Sequence, residues 1–154
     1  ISMQPPAPNA WTLASAALDI NNHGQAVGYM DMGGTGSRAP VIFSQGSAST
    51  IPGALLGMPQ GSASAVNVAG IIVGRAEDYS AFPPSMKAFV HMDGESFDLF
   101  EQVDQNGGLS YFLNAVDINE AGVIVGVGRV EPFDVGSFIA FPASADAVFS
   151  DGFE

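Results

Sequence analysis

One segment is written three times in this chain without a gap. Ala17-Leu-Asp-Ile-Asn-Asn-His-Gly-Gln-Ala-Val-Gly28 recurs as Ala63-Ser-Ala-Val-Asn-Val-Ala-Gly-Ile-Ile-Val-Gly74 and as Ala115-Val-Asp-Ile-Asn-Glu-Ala-Gly-Val-Ile-Val-Gly126. Gly24, Gly70 and Gly122 set periods of 46 and 52 residues (70 − 24 and 122 − 70). Repeats of that length are single supersecondary units that stack into blades, coils or sheets. Such a unit cannot bury its apolar face alone, so each must lie against a neighbour. The repeat therefore dictates architecture and assembly before it says anything about chemistry.

Each copy reads as two β-hairpins. The first strand alternates, with Ala17, Asp19 and Asn21 on one side and Leu18 and Ile20 on the other. The turns Asn21-Asn-His-Gly24, Asn67-Val-Ala-Gly70 and Asn119-Glu-Ala-Gly122 place Asn and Gly where left-handed backbone is needed. Return strands follow at 25–30, 71–75 and 123–130. Each carries a second glycine (Gly28, Gly74, Gly126), the mark of a bulge or of close approach by another backbone, and packing between units is the expected reason. The second hairpins open at 38–43, 87–91 and 136–141 and turn at Gln45-Gly46, Asp93-Gly94 and Ala143-Ser144. Final strands are expected near 49–51, 96–99 and 145–149, with helical turns confined to the connectors 53–58 and 102–113. The expected fold is all-β: three repeated four-stranded antiparallel units, propeller-blade-like or prism-like, with about twelve short strands and little helix. The division is a Pro-rich arm and lead-in strand (1–16), three repeats (17–62, 63–114 and 115–149) and a tail (150–154).

Composition narrows the partners. Only 4 of the 154 residues are Lys or Arg, and the net charge is −12. Phosphate backbones need clustered cations, so nucleic acid is excluded as a partner, and anionic membrane surfaces are disfavoured. No apolar run approaches the length of a membrane-spanning helix. The charge is lopsided. Residues 1–76 hold Asp19 and Asp31 against Arg38 and Arg75, so the excess acid lies wholly in the second half. A soluble surface normally mixes charges, so a bare half is expected to carry polar Ser, Gly and Asn or to be covered by another copy. There is no cysteine, which removes disulfide and thiol chemistry. A start at Ile1 rather than Met reads as mature material after loss of an export signal.

The pattern Ala-x-Asp-Ile-Asn-x-x-Gly-x-x-Val-Gly, followed by a basic-Ala-Phe triplet, resembles the bacterial extracellular HAF-type repeat family across residues 17–149. The triplet stands here as Arg38-Ala39-Pro40, Lys87-Ala88-Phe89 and Gly136-Ser137-Phe138. The family's histidine is missing from all three, so no role for that imidazole carries over. The ending Phe149-Ser-Asp-Gly-Phe-Glu154 resembles a short terminal tag of exported proteins in some gammaproteobacteria. The resemblance implies a secreted protein, extracellular or on the cell surface. It implies no particular activity.

Candidate chemistry is sparse. His23 occupies a turn position that Ala69 and Ala121 fill elsewhere, and reads as an exposed turn residue; His91 reads as a strand-surface residue. No Gly-x-Ser-x-Gly elbow is present. Asp93, Glu95, Asp98, Glu101 and Asp104 read as a solvated face. Asp104-x-Asn106-x-Gly108 resembles the opening of a calcium loop but lacks the later glutamate, so Asp104 and Asn106 are weak metal candidates and no cofactor is expected. Asn21, Asn67 and Asn119 are expected to bond their own turns.

The expectation is a non-enzymatic structural protein. Three blades are fewer than a closed propeller needs, and open strand edges must be covered. The units could curl into a prism, the tails could cap the ends, or copies could join head to tail into a filament with self as the partner. The assembly candidates are Pro5, Pro6 and Pro8 of the arm, Trp11, and Phe149 and Phe153 near the end. The competing reading is an extracellular carbohydrate or small-ligand binding module that uses the equivalent loops 31–38, 77–85 and 131–136.

Overall fold

The computed structural model describes residues 14–33, 36–44, 47–80, 82–132 and 134–142. These residues are all-β, in three antiparallel sheets that follow the chain order. The first sheet holds β1 (Ser15–Ile20), β2 (Ala26–Asp31), β3 (Arg38–Ser44) and β4 (Ser47–Thr50). The second holds β5 (Gln60–Val66), β6 (Ile72–Asp78), β7 (Ser85–Met92) and β8 (Glu95–Asp98), and the third β9 (Tyr111–Ile118), β10 (Ile124–Val130) and β11 (Asp134–Ala140). Within each sheet the strands pair as a meander in sequence order. The expected fourth strand of the last repeat (145–149), the turns at 45–46 and 143–144, the arm with Pro5, Pro6 and Pro8, Trp11, and the tail with Phe149 and Phe153 lie outside the described residues.

Three turns follow the expected chemistry. Gly24, Gly70 and Gly122 have φ of 75°, 82° and 80°, the left-handed backbone that glycine adopts without penalty. At the Asp93-Gly94 turn both residues have positive φ, which twists the hairpin with the right hand of its strands. Other details differ from expectation. β5 and β9 begin at Gln60 and Tyr111, three and four residues before the repeated segments that start at Ala63 and Ala115. Among the described residues the one helical turn is a 3₁₀ turn at Leu99–Gln102, which reaches only the first residue of the connector 102–113; the Asp98 carboxylate caps it by accepting from Phe100 N–H at 3.1 Å.

The second glycine of each repeat has a different cause from the one expected. In every first strand the pairing slips beside this glycine, and β9 slips a second time between its Asn114 and Phe112 pairings. Ala17 and Asp19 face Gly28 and Val27, Ala63 and Ala65 face Gly74 and Val73, and Ala115 and Asp117 face Gly126 and Val125. Leu18, Ser64 and Val116 are thus bulged residues. The bulge pushes a carbonyl of the first strand (Ala16, Ser62, Asn114) into the space where a Cβ on the glycine would stand. In repeats two and three, the ring of the paired Phe89 or Phe138 also lies over that space. The close approach is therefore inside one sheet, not between units. The same register corrects the triplet in the first repeat. Gly28 pairs with Val41, so Val41 rather than Pro40 matches Phe89 and Phe138.

The sheets stack in chain order. β5 packs across β1, β2 and β3, and β9 packs across β5, β6 and β7. One apolar cluster lies between the first two sheets: Val27, Ile51 and Ala54 against Ala63, Val66, Ile72 and Phe89. A second joins the last two: Ala65, Val73, Ala88 and Val90 meet Phe112, Ala115, Ile118, Ile124 and Phe138. Phe112 and Phe138 stack at 4.1 Å, and Phe100 meets Phe112 edge-on at 5.2 Å. The middle sheet is therefore apolar on both faces, and among the described residues each outer sheet packs on one other sheet.

Candidate functional site

Two features set the possible chemistry of this molecule: a ladder of turn asparagines and the outer faces of the two end sheets. The ladder starts locally. Asn21 Oδ1 accepts from His23 and Gln25 N–H at 3.0 and 3.1 Å, and Asn67 Oδ1 accepts from Ile71 N–H at 3.0 Å. Asn119 Oδ1 accepts from Ala121 and Val123 N–H, both at 2.9 Å. Each is the expected turn-bonding asparagine, and the turns close further through Gly N–H to Asn C=O bonds at 3.0 Å.

The second half of each amide does what the periodicity alone did not reveal. Asn21 Nδ2 donates to the Asn67 carbonyl of the next repeat at 3.0 Å, and Asn67 Nδ2 donates to the Asn119 carbonyl at 3.3 Å. Carboxylates flank these rungs. Asp19 Oδ2 accepts from Val66 N–H at 2.8 Å, and Glu120 Oε2 accepts from Val68 N–H at 2.7 Å. Both amides belong to the edge strand β5 or its turn, so the carboxylates satisfy donors that sheet pairing leaves open. One sequence signal could have exposed this bond: the position holds Asp in repeats one and three (Asp19, Asp117) but Ala65 in repeat two.

The outer faces are the internal junctions left unfinished. Ile20 is 64% exposed, whereas its counterparts Val66 and Ile118 are 5% and 6% exposed. Ala17 is exposed while Ala63 and Ala115 are fully buried. At the other end, Val125 and Ile139 are 38% and 40% exposed, whereas their counterparts Val73 and Val90 are wholly buried. Val116, Val135 and Phe141 are also exposed in the third repeat.

Several other candidates are accounted for by their partners. His23 is an exposed turn residue. His91, in contrast to the expected surface position, is buried on β7. Its Nδ1 lies 2.8 Å from Ser96 Oγ, which donates to the Pro52 carbonyl at 2.6 Å. Ser96 thus accepts from Nδ1–H, the reverse of the proton direction a nucleophilic serine requires. Burial lowers the His91 pKa. The unfolded chain therefore takes up a proton that the folded chain resists, and stability falls as pH drops through the histidine range. The thermal midpoint is expected to decline between about pH 7 and pH 5.5 and to decline less in His91→Gln, as followed by calorimetry across that window.

The acidic stretch is dispersed. Asp98 pairs with Lys87 at 2.7 Å and raises the lysine pKa. Asn106 Oδ1 accepts from Gly108 N–H at 3.1 Å, a local turn. Among the described residues no three His, Cys, Asp or Glu side chains converge as a metal site would require. A cleft of about 420 Å³ between Pro83, Met86, Lys87, Phe100 and Tyr111 has its charged wall occupied by the Lys87–Asp98 pair. Phe82 and Tyr79, on the loop after β6, are exposed. Among the described residues no helix is long and apolar enough to cross a membrane. No protein-family model matches this chain, and neither a curated protein nor a solved structure is similar to it.

Proposed function

We propose that this chain is a secreted, non-enzymatic structural β-repeat protein that assembles with itself head to tail, extending outside the cell as a filament or matrix. One observation carries the reading. The outer faces of the end sheets expose the same positions that the middle sheet buries on both sides. Burying one Val or Ile side chain contributes roughly 1.5–3 kcal/mol, so several such residues left in water on two opposite faces favour association. The two faces differ, so their contact is heterologous, and a heterologous contact that does not close on itself propagates. Charge supports the same polarity. The third repeat carries exposed Asp117, Glu120, Glu131 and Asp134, while Asp19 and Asp31 are balanced by Arg38 and Arg75 in the first half. Two third repeats meeting face to face would set acid against acid; third on first does not. The repeat pattern and its resemblance to exported repeat proteins support the extracellular setting.

Sedimentation velocity over a wide concentration range, with negative-stain electron microscopy of the concentrated sample, tests the reading. Sedimentation is expected to speed up with concentration and linear particles to accumulate. A single 15.8 kDa species throughout would overturn it.

A further inference from the structure

We propose that the asparagine–carboxylate ladder continues from one copy into the next: Asp117 and Asn119 of one chain grip the Ile20 amide and the Asn21 carbonyl of a second chain. The inference rests on the self-assembly reading and names the atoms that hold that contact in register.

The first internal junction is the template. There Asp19 takes Val66 N–H and Asn21 donates to the Asn67 carbonyl. Asp117 and Asn119 occupy the same two places in the third repeat, within the nearly identical segments Ala17-Leu-Asp-Ile-Asn21 and Ala115-Val-Asp-Ile-Asn119. Their capacity is unspent. Asp117 uses Oδ1 on the adjacent Ile118 N–H at 2.8 Å and leaves its other oxygen open. Asn119 uses only its carbonyl oxygen, and its amide donors meet no partner among the described residues. Both residues are exposed.

The opposite end offers the matching groups. β1 is an edge strand, and its bulged register is that of β5. Ile20 N–H therefore points out of the sheet edge as Val66 N–H does, and no carboxylate among the described residues takes it. The Asn21 carbonyl accepts from Gly24 N–H and keeps its second lone pair, the one that the Asn67 carbonyl uses for Asn21 Nδ2. Donor meets acceptor at both positions. The apolar surfaces follow the same frame. Val125 and Ile139 stand where Val73 and Val90 pack on the next sheet, and Ala17 and Ile20 stand where Ala63 and Val66 receive the preceding one. A second copy's first sheet thus occupies the place of a fourth repeat, in continuity with the interface that already joins the first two.

The test compares the wild-type chain, Asp117→Ala/Asn119→Asp and Val125→Glu by sedimentation velocity, with circular dichroism and thermal midpoints as folding controls. The polar pair is chosen to spare the fold: Ala stands at the matching place in repeat two, and Asp keeps the two turn bonds of Asn119. The polar variant is expected to associate about tenfold or more weakly than wild type, and Val125→Glu to stay monomeric. A second measurement fixes the geometry. Glu120 reaches back to Val68 N–H across the internal junction; in the proposed junction Glu120 takes the place of Val68, and the second copy's Asn22 takes that of Glu120. Mixing Glu120→Cys chains with Asn22→Cys chains and a short bis-maleimide is expected to give a mixed cross-linked dimer. Neither variant alone is expected to cross-link. If Val125→Glu blocks association but the polar variant associates like wild type, the ladder is overturned while head-to-tail assembly stands. If the wild-type chain is monomeric at every concentration, both fall.

Discussion

Gly74→Val is expected to cost more than about 3 kcal/mol, or to abolish folding, in chemical denaturation followed by fluorescence and circular dichroism. Overpacking a well-filled site typically costs about 1–3 kcal/mol because side chains and backbone can give way. Here they cannot give way easily. A Cβ at position 74 runs into the Ser62 carbonyl that the bulge pushes forward, and its next contact is the Phe89 ring at 2.8 Å. The carbonyl belongs to paired backbone of the middle sheet, which is packed on both faces. Gly126→Val meets the same obstacles, with Phe138 Cε1 at 2.6 Å, and is expected to be comparably damaging. Gly24→Ala is the control. Its φ is 75° but nothing lies within 4 Å of the added methyl, so it is expected to cost only about 1–2 kcal/mol of left-handed backbone strain. The pairing also predicts a partial rescue. Gly28 faces Val41 in the first repeat, and its added Cβ meets only backbone. Gly74→Ala/Phe89→Val should therefore recover part, not all, of the loss in Gly74→Ala: the ring is removed and the carbonyl stays. A Gly74→Val protein as stable as wild type would refute the register on which the bulge rests.

The turns, the hairpins and the stacking of three β units were legible in the sequence because each is written locally or by repetition. Gly24, Gly70 and Gly122 announce their backbone by residue type, and the Asn three residues before each announces the turn bond. What escaped was pairwise. A bulge exists only between two strands, so nothing in Ala17-Leu18-Asp19 alone says that Leu18 is the extra residue. The offset of the first triplet is a matter of register, and only pairing reveals that Val41 faces Gly28. The assembly candidates in the arm and tail lie outside the described residues, and the exposed Ile20, Val125 and Ile139 inside the repeats escaped because their exposure depends on which sheet packs on which. His91 escaped for a similar reason. Its strand alternates in polarity, but β7 lies inside the middle sheet, and both of its faces are covered.

Asn67→Asp separates the two jobs of the ladder asparagines, and it is expected to destabilise the fold by about 2 kcal/mol more than Asn119→Asp does. An aspartate keeps the oxygen that each turn amide needs, so the Ile71 N–H bond at position 67 and the Ala121 and Val123 bonds at position 119 survive both changes. The difference lies in the amide donor. Asn67 is 2% exposed, and its Nδ2 bonds the Asn119 carbonyl. It also offers its own carbonyl to Asn21 Nδ2, which the substitution leaves in place. Aspartate puts a buried carboxylate oxygen against the Asn119 carbonyl, exchanging a hydrogen bond for repulsion between two acceptors, and unpaired buried polar groups cost about 1–3 kcal/mol, more when charged. At position 119 the side chain is exposed and its amide donors meet no partner among the described residues, so no bond is lost. The sign of the pH dependence follows from the same geometry. Burial and the facing carbonyl raise the pKa of an aspartate at position 67 in the fold, so protonation relieves the loss and restores a donor; the deficit of Asn67→Asp should narrow as pH falls below about 5, while that of Asn119→Asp should not. Urea melts of both variants at pH 7 and pH 4.5, each referenced to wild type at the same pH, decide the matter. Equal losses at pH 7 would mean that the rungs between repeats contribute nothing and that each turn stands alone.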